Sequence, residues 1–192
     1  MTGSRPPRVP AGLFTAFGLV WLLASAPPLA AQTPPPTAAP TAPPAPCASA
    51  EHRQFDFWLG QWRVERADGR LAGHNRIESR HGGCVLTEHY STPSGYSGES
   101  LNIYDARRGV WHQTWTDSGG LLLQLEGGRD GEDMLLQGTL LSPEGPVAQR
   151  IRWSPLADGS VRQLWQTRAA GAREWTTIFD GRYTRVAPDA AP

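Results

Sequence analysis

From Cys47 onward, large apolar residues fall on every second position through short segments, the periodicity of half-buried β-strands. Val110 to Thr116 reads VWHQTWT and Val161 to Thr167 reads VRQLWQT. Turn pairs punctuate the pattern at Asp68-Gly69, Gly82-Gly83, Ser94-Gly95, Gly119-Gly120, Asp130-Gly131, Glu144-Gly145, Asp158-Gly159 and Ala170-Gly171, with a weaker one at Asp105-Ala106. Ten strands are predicted, over 57–66, 73–80, 83–91, 97–105, 109–117, 120–127, 132–141, 146–154, 160–169 and 174–185. No segment after Cys47 sustains a helical stripe, and at most one helical turn fits before Phe55. Short turns make successive strands antiparallel, and a ten-stranded meander leaves two long edges exposed unless it closes. The predicted fold is all-β, a closed antiparallel up-and-down β-barrel of about ten strands. An open two-sheet sandwich is the alternative.

Strand parity then assigns an inside. Two indoles on one face of a strand belong in the interior, because exposing them costs more than burying one partnered Gln between them. On that rule Trp111, Gln113 and Trp115 point inward, as do Leu121, Leu123 and Leu125, then Val161, Gln163 and Trp165, then Trp175, Thr177 and Phe179. Ile151 and Trp153 join them, with Leu86, Glu88 and Tyr90 on the third strand and Ser100, Asn102 and Tyr104 on the fourth. The interior is therefore aromatic, with Glu88, Asn102, Gln113 and Gln163 interspersed. Two readings stay open. In one, these groups bond one another inside a filled barrel that acts through its surface. In the other, they face a cavity and orient a small hydrophobic or amphipathic ligand. The ligand-binding candidates are Glu88, Asn102, Tyr104, Trp111, Gln113, Trp115, Trp153, Gln163 and Trp165.

Other chemistry has little support. Glu88 is the one interior carboxylate, an acid or base without a partner, so no catalytic residue is assigned. No Gly-x-Ser-x-Gly elbow occurs, since Gly95-Tyr96-Ser97-Gly98-Glu99 fails at its last position. His52, His74, His81, His89 and His112 never fall at zinc-helix spacing, and no metal is expected. Carbohydrate stacking would need Trp58, Trp111 or Trp175 exposed in a coplanar row. All 18 basic residues are Arg, which excludes lysine Schiff-base and P-loop chemistry. A net charge of zero and a pI near 7.0 argue against a nucleic-acid partner. Arg162, Gln166 and Arg168 on outward positions argue against a membrane-embedded barrel.

The chain's 192 residues suit one domain, 47–186, with other segments around it. Arg5 and Arg8 precede an apolar run from Leu13 to Ala26, followed by Ala30-Ala31, the pattern of a secretory signal peptide over 1–31. Cleavage after Ala26 and a retained anchor are the alternatives; once cleaved, the chain has no membrane span. Residues 32–46 hold seven Pro in fifteen positions and read as an extended, disordered linker, and 187–192 as a disordered tail. In an exported chain, Cys47 and Cys84 most simply form a disulfide. The expected location is periplasmic or extracellular.

A wider pattern adds to this reading. Phe55 to Val64 is FDFWLGQWRV, and its Gly60-Gln61-Trp62 resembles the Gly-x-Trp signature on the first strand of lipocalin-like (calycin) barrels. With Gly83-Cys84-Val85-Leu86 and Glu88, Gly98-Glu99-Ser100, Tyr104-Asp105, Trp111-His112-Gln113-Thr114-Trp115, Asp117-Ser118-Gly119 and Phe179-Asp180-Gly181-Arg182-Tyr183, the chain resembles a family of exported bacterial proteins carrying a lipocalin-like domain of unknown function. The resemblance covers nearly all of 51–186 and implies a fold and an exported location, with no established activity. In calycins a basic residue of the last strand packs across the first-strand Trp. Here that is Arg185, or Arg182 if Asp180-Gly181 makes a bulge. Some nitrobindin-like relatives ligate haem through a late His, but no His follows His112, so no cofactor is expected.

Overall fold

A computed structural model describes residues 45–186. The expectations for the signal peptide, most of the linker and the tail fall on 1–44 and 187–192, outside the described residues.

The described chain forms ten antiparallel strands in sequence order, and β1 hydrogen-bonds to both β2 and β10 to close the barrel. They are β1 (Gly60–Arg66), β2 (Leu71–Arg80), β3 (Val85–Ser91), β4 (Ser97–Asp105), β5 (Val110–Asp117), β6 (Leu122–Asp130), β7 (Asp133–Ser142), β8 (Gly145–Pro155), β9 (Val161–Ala169) and β10 (Thr176–Arg185). The first and last ribbons therefore meet, with Trp62 opposite Arg185 on one side and Asn75 on the other. The sandwich alternative is excluded by that closure.

The first strand starts three residues later than alternation suggests. Ala50–Arg53 and Asp56–Trp58 are short 3-10 turns. They carry Phe55 and Trp58, both fully buried, into one end of the barrel. There Phe55 stacks on Trp58 with ring centroids 4.9 Å apart and meets the edges of Trp111 and Trp153 at 5.7 and 5.1 Å. Aromatic pairs in this range contribute about 0.5–1.5 kcal/mol beyond the area they bury. This end is plugged. A third 3-10 turn, His81–Gly83, joins β2 to β3 and presents Cys84, which is disulfide-bonded to Cys47. Arg53 donates to the Cys47 and Gly83 carbonyls, so the plug is tied to the wall beside the bridge.

Closure depends on Arg185. Its guanidinium lies 4.3 Å from the Trp62 ring centroid and donates to the Leu59 carbonyl at 2.7 Å and the Phe57 carbonyl at 3.3 Å. Gly60 is the residue that permits this approach. Its φ is +137°, and a Cβ there would sit 2.5 Å from Arg185 Nη1. Arg182, the other candidate, turns outward and pairs with Asp158. The irregularity that would have brought it to Trp62 is absent from Asp180-Gly181 and lies instead between Thr177 and Phe179.

That bulge corrects two inward assignments. One extra residue on β10 inverts parity upstream of it. Thr177 consequently lies on the outer face, where Gln166 donates to its hydroxyl at 3.1 Å, while Phe179 stays inside opposite Trp165. Trp175 precedes the strand and lies beneath the guanidinium carbons of Arg150 and Arg168, 4.1 and 4.7 Å from its ring centroid. Arginine stacking shields an indole on the outside of the wall, a solution the parity rule does not consider.

Candidate functional site

The end opposite the plug is open, and below it lies a cavity of about 240 Å³ lined by sixteen residues. Strand direction decides which predicted residues reach it. β5 runs from the plug to the mouth, so Trp111 packs against Phe55 while Trp115 lines the cavity. β4 runs the other way, which places Tyr104 at the plug, 5.1 Å from His52 in an edge contact. Of the nine candidates, Glu88, Gln113, Trp115, Trp153, Gln163 and Trp165 line the cavity. Asn102, Tyr104 and Trp111 do not.

The polar interior is an ordered chain of bonds. Asn75 Nδ2 donates to one Glu88 oxygen at 2.7 Å, and Ser100 Oγ donates to the other at 2.7 Å. Asn102 Nδ2 donates to Ser100 Oγ at 2.8 Å and to the Leu86 carbonyl at 3.2 Å, and its Oδ1 accepts from Gln113 Nε2 at 2.8 Å. Asn102 is thus the strut that orients Ser100 and Gln113 from behind. Across the barrel, Tyr183 Oη donates to Gln163 Oε1, and Trp165 Nε1 donates to Gln149 Oε1 at 2.9 Å.

Satisfaction is incomplete. Trp153 Nε1 and Asn75 Oδ1 are buried without a hydrogen-bond partner. Each such group costs about 1–3 kcal/mol relative to a paired one. Glu88 is 4% exposed, and burial pushes its carboxyl up to about 7, against the opposing hydrogen bonds from Ser100 and Asn75. Burial also raises the Tyr183 hydroxyl, with Glu88's charge adding to the effect.

The mouth is built from residues that strand parity did not single out as a group: Arg66, Thr92, Tyr96 and Ile178. Tyr96 Oη donates to Asp117 Oδ2 at 2.7 Å, and Trp115 Nε1 donates to the same oxygen at 3.2 Å, which fixes the Trp115 ring at the rim. Tyr183, Ser100 and Asn75 were also missed as site residues. Tyr183 shares strand parity with Phe179, which alternation already places inward, and that is the available signal; Asn75 lies on the buried face of β2 with Ile77, a strand whose alternation marks no inward face.

Trp58 and Trp111 are buried, and Trp175 is covered by Arg150 and Arg168, so the exposed row that carbohydrate stacking requires does not form. Among the described residues, no group of three or more His, Cys, Asp or Glu side chains is arranged to hold a metal ion. Within the same span no helix is long and apolar enough to cross a membrane. No protein-family model matches the chain, and no curated protein matches it. The closed ten-stranded antiparallel barrel is of lipocalin-like architecture, a fold able to take a small ligand in its interior.

Proposed function

We propose that this protein is an exported, lipocalin-like binding protein that holds a small hydrophobic or amphipathic molecule non-covalently inside its barrel. The observation that carries this reading is the single-ended cavity itself. Its walls include Trp115, Trp153, Trp165 and Phe179, and Glu88, whose two oxygens accept one bond each, lies among them. A filled barrel acting through its surface has no use for that void. The Cys47–Cys84 bridge supports an oxidising location, and the Gly60/Trp62/Arg185 closure supports the family resemblance.

The cavity's size narrows the ligand. At about 240 Å³ it exceeds the roughly 150 Å³ void that accepts benzene and falls short of the roughly 300 Å³ lower bound of drug-sized pockets. One ring with a short polar arm fits; a long acyl chain must leave part of itself in water. Titration with one- and two-ring aromatic compounds, terpenoids and fatty acids, followed by intrinsic Trp fluorescence, tests the reading. Saturable change is expected from the ring compounds, and Trp165→Ala should abolish most of it. Silence across the panel refutes the binding function.

A further inference from the structure

The chemistry around Glu88 says more about the occupant. We propose that the molecule held there is a small organic cation, an arylalkyl amine whose ammonium group bonds the Glu88 carboxylate while its ring lies among Trp115, Trp153 and Trp165. This rests on the barrel being a binding vessel, and it commits to the charge of what is bound.

The side chains that bond Glu88 are neutral, and the titratable groups sharing its cavity are Tyr90 of its own strand, Tyr183 of β10, Tyr96 at the mouth and Arg66 at the rim. Asn75 of β2 and Ser100 of β4 are its hydrogen-bond donors. Gln113, Gln163 and Tyr183 line the same cavity from β5, β9 and β10. No guanidinium contacts it: Arg66 is exposed at the rim, and His89 points to the outer face, where its ring nitrogen meets Glu99 at 3.0 Å. Glu88 is therefore a buried acid with no cationic side chain in contact with it, the adjacent His89 exerting only the smallest of the effects that oppose its burial. Its two oxygens accept one bond each, leaving about half their lone pairs free. A ligand carboxylate there would meet a like charge, and an alcohol would supply one donor. An ammonium supplies three donors and the missing charge, in a low-dielectric site where the pairing counts most. The walls favour the same partner, because the faces of Trp and Tyr rings attract cations.

The proton balance follows. Burial holds the carboxyl near 7 in the empty barrel, so an incoming ammonium displaces the remaining proton to solvent. Affinity for a permanently protonated amine should then fall about tenfold between pH 8 and pH 6, as the acid takes up its proton.

Phenethylamine, 2-phenylethanol and 3-phenylpropionate share a ring and a chain and differ in charge. Calorimetric titration of the full chain with each, at pH 8 and pH 6, separates the possibilities. At pH 8 the amine is expected to bind at least tenfold more tightly than the alcohol and to lose about tenfold at pH 6, while the alcohol is unaffected. Glu88→Gln should bring the amine down to the alcohol's affinity. An amine that binds no better than the alcohol, or an affinity that ignores pH, overturns the inference and leaves the binding barrel intact. Tightest binding by the acid also overturns it and moves recognition to Arg66. No heat from any of the three defeats both proposals. The wild-type pH profile carries the test even if the variant fails to fold.

Discussion

Replacing Glu88 with Gln should change how stability depends on pH, independently of any ligand. The substitution keeps the side chain's shape and removes the ionisation; the one carbonyl oxygen it retains can accept from Asn75 or Ser100 but not from both, a cost that is the same at every pH. In the wild type, the carboxyl ionises near 4.5 when unfolded and near 7 when folded. The folded state therefore holds a proton that the unfolded state has released. For a raised acid, the stabilisation is complete below about pH 4.5 and is lost as pH climbs through about 7. Between pH 5 and pH 8 this group alone should cost the wild type between about 2 and 3 kcal/mol, and the variant nothing. Carboxylates held low by surface partners, such as Glu126 beside Arg108 and Asp158 beside Ser160, titrate below this window and are common to both proteins. Urea unfolding at the two pH values, read by Trp fluorescence, gives the difference directly. A stability gap between variant and wild type that is equal at pH 5 and pH 8 would refute the buried, uncompensated acid and everything built on it.

Other consequences are accessible to the same assay. Arg185→Met removes the stack on Trp62 and two carbonyl bonds and should cost about 2 kcal/mol, whereas Arg182→Met breaks an exposed pair with Asp158 and one bond of 3.2 Å to Ser160 Oγ and should cost about 1 or less; equal costs would contradict the assignment of Arg185 to closure. Replacing Cys47 and Cys84 together with Ala opens a link across 37 residues, for which chain entropy gives about 4 kcal/mol, seen as a lower urea midpoint. Gly98→Ala places a Cβ 2.1 Å from Trp115 Cζ2, so the ring must swing from the rim and ring-compound affinity should drop severalfold; unchanged affinity would show that this indole is not part of the site.

Local periodicity carried most of the fold, and its failures occur where a non-local contact outweighs it. VWHQTWT and VRQLWQT announce their strands because both alternate against a common interior, and Gln113 and Gln163 are indeed buried among indoles. Alternation places Phe57 and Trp58 in the first strand because the aromatic run hides its breakpoint. The strand begins at Gly60, where the chain adopts a φ that favours glycine and admits the Arg185 guanidinium from a residue far along the sequence. Trp175 misled for a related reason: its burial comes from Arg150 and Arg168 on neighbouring strands, and composition alone does not reveal which face they guard. The site was half legible. Parity says that Trp111 and Trp115 share a face but not which of them lies at the plug, since that depends on which mouth the 3-10 turns fill.

The division of the interior argues against packing as the sole purpose of the polar chain. Toward the plug, Phe55, Trp58, Trp111 and Trp153 form a dry aromatic cluster of the kind that stabilises a barrel outright. Toward the mouth, the same small barrel buries an acid whose carboxyl is displaced well above its ordinary range, beside a void it does not fill. Apolar residues of similar volume at Glu88, Ser100 and Asn102 would remove the desolvation cost, as replacements of buried ionic groups commonly show. Asn102 spends both ends of its amide holding Ser100 and Gln113 in place, and Ser100 in turn holds Glu88. A network organised around one charge beside the open cavity is what the proposed binding of a cationic ligand requires.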